Sequence, residues 1–229
     1  MKKHLLRIAF GLAVVLVFLV HAIREDYRIP LLEQLELLLY DARLRLTMPR
    51  TVDNRIVILD IDEKSLQERE KGGEGHWPWP RDRLAFLLDK LFDTYEIAAV
   101  GFDVVFAERD ESSGIRVLER LAKDELKGVA QFRSALDRIK PELEYDKLFA
   151  RKMKGRNVVL GYTFSSDEPA LAPRKGMLVS PVLTAAAFKG HNVRMLSYNG
   201  YTANLEELQQ TAASAGHFNP FIDRDGITR

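Results

Sequence analysis

Apolar residues run unbroken from Ile8 to Val20, and the charges before them are all positive: Lys2, Lys3 and Arg7, with no acid anywhere from Met1 to Ile23. Leu5 to Ile23 approaches the ~20 residues that a membrane-spanning helix needs, provided Arg7 reaches back to the headgroups. The pattern predicts an anchor over residues 1–24. Lysines and arginine before the span, against a mixed Arg24, Glu25, Asp26 and Arg28 after it, orient the N-terminus to the cytoplasm. The same stretch also reads as an export signal, with Val20-His21-Ala22 as a small-residue cleavage pattern. Under either reading residues 25–229 lie across the membrane.

Beyond Ile29-Pro30 the period changes. Leu32, Leu35, Leu39, Ala42 and Leu46 recur at spacings of three and four up to Met48-Pro49, which predicts an amphipathic helix over Leu31 to Leu46. Such a stripe suits a dimer seam, but it falls short of the three or four heptads of a coiled coil, so packing against its own domain is the expectation. Arg55 to Ile61 (RIVILDI) is a continuous β-branched run of the kind that forms strands buried on both faces of a parallel sheet. A helix over Leu84 to Tyr95, opened by Pro80, and a second strand over Ile97 to Phe106 complete a right-handed crossover unit. Helices are expected at Ser113 to Lys127 and at Tyr145 to Lys154, the latter with Leu148, Phe149 and Met153 facing in and Gly155 as its stop. Asn157 to Phe164 reads as a third strand, Ser165 to Gly176 as a polar loop, Leu205 to Ala213 as a short helix and Gly216 to Phe221 as a strand. Asp223 to Gly226 reads as a tight turn into Ile227, because the later ligands of a calcium loop are missing. Met177 to Asn204 carries no clear period. The fold class is α/β: a mostly parallel sheet with flanking helices, preceded by one transmembrane helix.

Composition narrows the function classes. With 34 Lys+Arg against 33 Asp+Glu the chain has a net charge of +1, which gives no electrostatic basis for nucleic-acid binding. The absence of cysteine excludes disulfide scaffolds, thiolate metal sites and cysteine nucleophiles. No G-x-S-x-G supports a serine hydrolase, and Gly72, Gly73 and Gly75 neither follow a strand directly nor precede a phosphate-loop lysine. His4 and His21 belong to the anchor, while His76, His191 and His217 are isolated.

Asp60 and Asp62 after the first expected strand and Asp103 after the second would gather at one rim, where open α/β sheets bind ligands. Grouped carboxylates of this kind can hold Mg²⁺ or Ca²⁺. Each also has a structural use: Asp62 as a cap before Glu63-Lys64-Ser65, Asp103 as a partner for loop amides, Arg81 or Arg43. Asp60-x-Asp62 is similar to the haloacid-dehalogenase phosphatase motif, although Lys64 stands where that family has Thr or Val. A membrane-tethered metal-dependent phosphohydrolase using Asp60, Asp62 and Asp103 is therefore the alternative function. Trp77-Pro78-Trp79-Pro80-Arg81 forms a stiff aromatic edge beside this rim, able to stack on a ligand or to plug the sheet's open end.

Five ordered blocks carry a resemblance. Tyr40-Asp41-Ala42-Arg43, then Ile58 to Leu66 (ILDIDEKSL), Trp77 to Arg81, Gly101 to Phe106 (GFDVVF), and Gly216-His217-Phe218-Asn219 with Asp223-x-Asp225-Gly226-Ile227-x-Arg229 resemble the type-two CHASE domain. That family is the extracytoplasmic sensory module of bacterial nucleotide cyclases, diguanylate cyclases and kinases. The resemblance covers residues 25–229 and implies an N-terminal fragment of a receptor in the bacterial inner membrane. It further implies a cytoplasmic effector in a missing C-terminal part, expected to be an adenylate or guanylate cyclase; a homodimer, with a periplasmic ligand or protein as stimulus, is the expected signalling form. No catalytic centre and no cofactor are expected within the 229 residues. Asp60, Asp62, Trp77, Trp79, Arg81 and Asp103 are the candidate ligand-binding residues.

Overall fold

The computed structural model describes residues 2–23, 29–68, 72–190, 193, 195–223 and 225–228. Arg24, Glu25, Asp26, Arg28, His191, Arg224 and Arg229, on which parts of the sequence reading fall, lie outside the described residues. The chain divides into two units, residues 1–59 with 221–229 and residues Asp60–Pro220.

In the first unit, α1 (Lys2–Ile23) reaches a mean hydropathy of 2.4 and is long and apolar enough to cross a membrane by length and composition. His21 is buried near its end, where Nδ1 accepts the backbone N–H of Ile29 at 2.9 Å. The second helix, α2 (Pro30–Thr47), begins on a proline, which has no N–H to lose in a first turn. The expected amphipathic helix is therefore present; within its unit α2 has no buried residue, and Leu35, Leu39 and Leu46 are exposed. Near the C-terminus, a tight turn lets the Gly226 N–H donate to the Asp223 carbonyl at 2.9 Å, as expected for that segment.

The second unit holds the sheet. Its strands are β1 (Val100–Gly101), β2 (Val158–Ser165), β3 (Arg174–Lys175), β4 (Gly200–Thr202) and β5 (Ser214–His217). The N-terminal half of β2 pairs in parallel with β1 and β5, and its C-terminal half pairs antiparallel with β4, which pairs in parallel with β3. The sheet is thus mostly parallel, as the buried apolar run of β2 requires. The helices are α3 (Arg81–Asp89), continued by a π-helical turn at Lys90–Thr94, then α4 (Ile115–Lys123), α5 (Ala130–Leu143), α6 (Tyr145–Met153) and α7 (Glu206–Gln209). Leu84 and Leu88 of α3 close on Phe149 and Met153 of α6 and on Val158 and Leu160 of β2. Phe102, Phe106 and Phe149 meet edge-to-face with centroids 5.4–5.8 Å apart.

Two glycines decide local geometry. Gly155 takes a φ of 78°, the left-handed conformation that ends α6 and admits β2. At Gly161, in mid-strand, a Cβ would lie 2.3 Å from the Phe218 ring and 2.7 Å from the Phe102 carbonyl, so only glycine lets both approach β2.

The strand expected at Arg55 to Ile61 does not form. No residue there belongs to a strand, and Ile56 to Leu59 are exposed. Local polar bonds claim both ends: Asp53 accepts the Arg55 backbone N–H and side chain at 3.0 Å, and Asp62 accepts the Ser65 N–H at 2.8 Å and its hydroxyl at 2.6 Å. A β-branched run reports fitness for a half-buried surface, and no neighbouring strand supplies one here. The crossover unit built on that strand is absent with it. The second expected strand shortens to Val100–Gly101, because the Phe106 N–H is taken by the Asn204 side chain at 2.8 Å rather than by a strand. Helix α5 forms where the sequence pattern predicts none; its only buried residue is Leu136, and Pro141 sits in its last turn.

Candidate functional site

A cleft of about 670 Å³ opens in the second unit, lined by Pro78 to Arg81, by Val105 and Ala107 to Ser112, and by Lys175 and Thr202. This is within the range of small-molecule sites. Four separate stretches of chain build it. Pro80 takes the N-cap position of α3 with an extended ψ of 145°, so Arg81 begins the helix and its N–H has no partner within it. Asp110 supplies the partner from the opposite loop, accepting that N–H at 2.5 Å. Trp79 is fixed by its indole N–H, which donates to the Gly75 carbonyl at 2.9 Å, and its ring lies 6.2 Å from that of Trp77.

The Arg81 side chain is the buried element of the wall. Its guanidinium sits 4.5 Å above the Phe106 ring, and Nη2 donates to the Glu108 carbonyl at 3.4 Å. Nε stands 3.7 Å from Asp146 Oδ1, too far for a hydrogen bond, and both atoms lack any such partner among the described residues. Burial pushes the Arg81 guanidinium below its ordinary value, with Asp146 and Asp110 opposing that shift. Burial also pushes the Asp146 carboxyl up, against the Asp110 N–H that it accepts at 2.9 Å and against Arg81. Asp146 lines a second, smaller hollow of about 120 Å³.

The loop over residues 106–112 is held from behind. Asn204, fully buried, accepts the Phe106 N–H and donates to the Gly161 carbonyl at 3.0 Å and to Gln209 at 3.3 Å. The Leu205 N–H returns to the Phe106 carbonyl at 2.8 Å. Across the mouth, Lys175 Nζ meets Glu108 Oε1 at 2.8 Å, and this bond holds the Glu108 carboxyl below its ordinary value. Ser112 donates both its N–H and its hydroxyl to Asp110 Oδ1, at 2.8 and 2.6 Å.

Of the residues singled out in the sequence, Trp79 and Arg81 line this cleft and Trp77 stands beside Trp79. Asp60, Asp62 and Asp103 do not line it. Asp60 and Asp62 do not follow a strand, Asp62 caps the turn to Ser65, and Arg81 pairs with Asp146 and Asp110 rather than with Asp103. Among the described residues no group of three or more His, Asp or Glu could hold a metal ion. His76 is exposed, and His217 lies against Phe164 with ring centroids 5.4 Å apart. The residues that sequence reasoning missed are Glu108, Asp110, Asp146, Lys175 and Asn204. One signal was available for two of them: Ala107 to Ser113 is the polar stretch that leaves the apolar run at Phe106, which is where an α/β sheet places its binding loops.

No curated protein and no solved structure matches the chain. The sequence does match the CHASE2 domain over residues 11–229. The span includes the cleft, the sheet and much of α1, so by its sequence the chain belongs to the CHASE2 family of extracytoplasmic sensory domains.

Proposed function

We propose that this chain is the sensing part of a bacterial inner-membrane receptor, anchored by α1 with its N-terminus in the cytoplasm and the sheet-bearing unit in the periplasm. It acts as a homodimer and controls a C-terminal adenylate or guanylate cyclase. Family membership supports sensing, and the apolar span of α1 after Lys2, Lys3 and Arg7 supports the anchor and its orientation. The unburied stripe of Leu35, Leu39 and Leu46 on α2 supports a second copy as its cover.

The observation that carries the reading is the cleft built on Arg81. It is a pre-formed hollow with α3 on one side, β3 and β4 on another, and one loop between them. A stimulus acts there by binding two arrangements of the receptor with different affinity. Arg81→Met in the full receptor tests this. Cyclase output that no longer follows the stimulus, with thermal unfolding of the variant still cooperative, is expected. A variant that folds and responds as the wild type does would refute the assignment.

A further inference from the structure

Between β3 and β4 the chain makes an excursion from Leu178 to Tyr198 that lines no part of the cleft. Its described residues form no strand and a single 3-10 turn, Ala185–Phe188. Bulky apolar side chains nevertheless face water there: Val182 is 99% exposed, Leu196 64%, Leu183 59% and Met195 57%. Single exposed apolar residues are ordinary, but several gathered in one loop mark a surface that something covers.

The charges indicate what covers it. From Pro169 to Leu205 there is no Asp or Glu, the longest acid-free stretch in a chain with 33 acids, longer even than the one before Glu25. The same stretch carries Arg174, Lys175, Lys189 and Arg194. Lys175 is engaged by Glu108, whereas Lys189 is exposed and pairs with no acid among the described residues. A protein partner is matched by particular pairs of opposite charge, and it sets no demand that every acid be cleared from a loop. A uniformly negative surface does set that demand, because it repels any carboxylate brought to it and attracts each lysine.

We propose that this excursion docks on the anionic headgroups of a phospholipid bilayer, with Val182, Leu183, Met195 and Leu196 entering the boundary of the acyl chains and Lys189 held at the lipid phosphates. The contact is shallow: a backbone without helix or strand keeps its hydrogen bonds to water at headgroup depth, and the hydrocarbon would strand its amides. A bilayer reads composition rather than register, so an irregular loop suffices. This inference rests on the reading of α1 as an anchor, which holds the chain at a bilayer, and is independent of the cleft.

The chain has no cysteine, so Val182→Cys carrying an environment-sensitive fluorophore reports on this loop alone. The full chain is placed in nanodiscs of phosphatidylglycerol and phosphatidylcholine containing lipid spin-labelled near the headgroup as quencher. Val15→Cys in α1 and the exposed Tyr95→Cys serve as references for lipid and water. Lipid quenching at Val182 and Val15 but not at Tyr95 is expected. Lys189→Gln should lower the ratio of quenched to unquenched Val182 probe by about 5-fold, the factor that one cation near an anionic surface supplies. A Val182 probe left unquenched while Val15 is quenched would overturn the docking and leave the anchor; both unquenched would overturn the anchor as well. A Val182 probe shielded from aqueous iodide yet unquenched by lipid would mean that a second copy covers the loop, against the proposal. Quenching unchanged both in Lys189→Gln and in discs of phosphatidylcholine alone would overturn the anionic surface, and equal quenching at Tyr95 would overturn the assignment to this loop.

Discussion

Asn204 is a polar side chain with no exposed surface, and removing it has a calculable effect. Its Oδ1 accepts the Phe106 N–H, and its Nδ2 serves the Gly161 carbonyl and Gln209. Asn204→Ala strands a backbone N–H and a backbone carbonyl where water cannot follow, at ~1–3 kcal/mol each, so the loss should be about 2–6 kcal/mol. Against a total of ~5–15 kcal/mol for a folded domain, that is a large fraction. Asn204→Asp separates the two halves of the argument. A carboxylate still accepts from Phe106 but faces the Gly161 carbonyl, so this variant should be weak at neutral pH and recover on acidification, when the protonated acid can donate. Urea unfolding of the full chain in detergent, followed by tryptophan emission, measures both. Midpoints within ~0.5 kcal/mol of wild type for Asn204→Ala would refute the claim that this residue holds the loop over residues 106–112.

The remaining predictions use the same unfolding assay. Burial raises the Asp146 carboxyl in the folded protein, so the native state takes up a proton more readily than the unfolded chain. That contribution to stability therefore rises as pH falls through the folded value; Asp146→Asn should abolish this rise, and a wild-type-minus-variant difference independent of pH would contradict it. Phe149→Ala should lose ~3–5 kcal/mol, since the ring is fully buried against Phe102 and Phe106; a loss below ~1 kcal/mol would mean the triad does not form. Gly161→Ala should lose ~1–3 kcal/mol by crowding Phe218 and the Phe102 carbonyl, while Gly216→Ala, with no heavy atom within 4 Å of its new Cβ, should be near neutral; equal effects would refute the close approach.

What the sequence made legible follows from the range of the interactions involved. Helix α6, Gly155 and β2 were readable because their signals are local: a 3.6 period, a left-handed stop and a continuous apolar run. The helix start after the Trp77 to Arg81 segment was readable for a similar reason, and the fold puts Trp79 and Arg81 in the cleft wall. Arg55 to Ile61 misled because an apolar run states a need for a partner strand without supplying one. Without that strand Asp60 and Asp62 stand at no strand end, and neither they nor Asp103 line the cleft. The groups that shape the cleft were hidden by distance along the chain: Asp110 acts 29 residues from Arg81, Asp146 acts 36 residues from Asp110, and Asn204 acts 98 residues from Phe106. In sequence each looks like an ordinary surface residue, and only the fold removes its water.

The junction of β3 and β4 bears on how such domains diversify. Lys175 faces Thr202 in register, and the Met177 N–H donates to the Asn204 carbonyl at 2.8 Å, so the chain leaves the sheet and returns to it at nearly the same place. From Leu178 to Tyr198 the excursion exposes Val182, Leu183 and Leu196, and none of its described residues belongs to the buried core. Closing a loop costs only slowly more as it lengthens. Insertions and deletions between Leu178 and Tyr198 should therefore accumulate during evolution without shifting the register that places Lys175, making this stretch the natural ground for lineage-specific change around a constant frame.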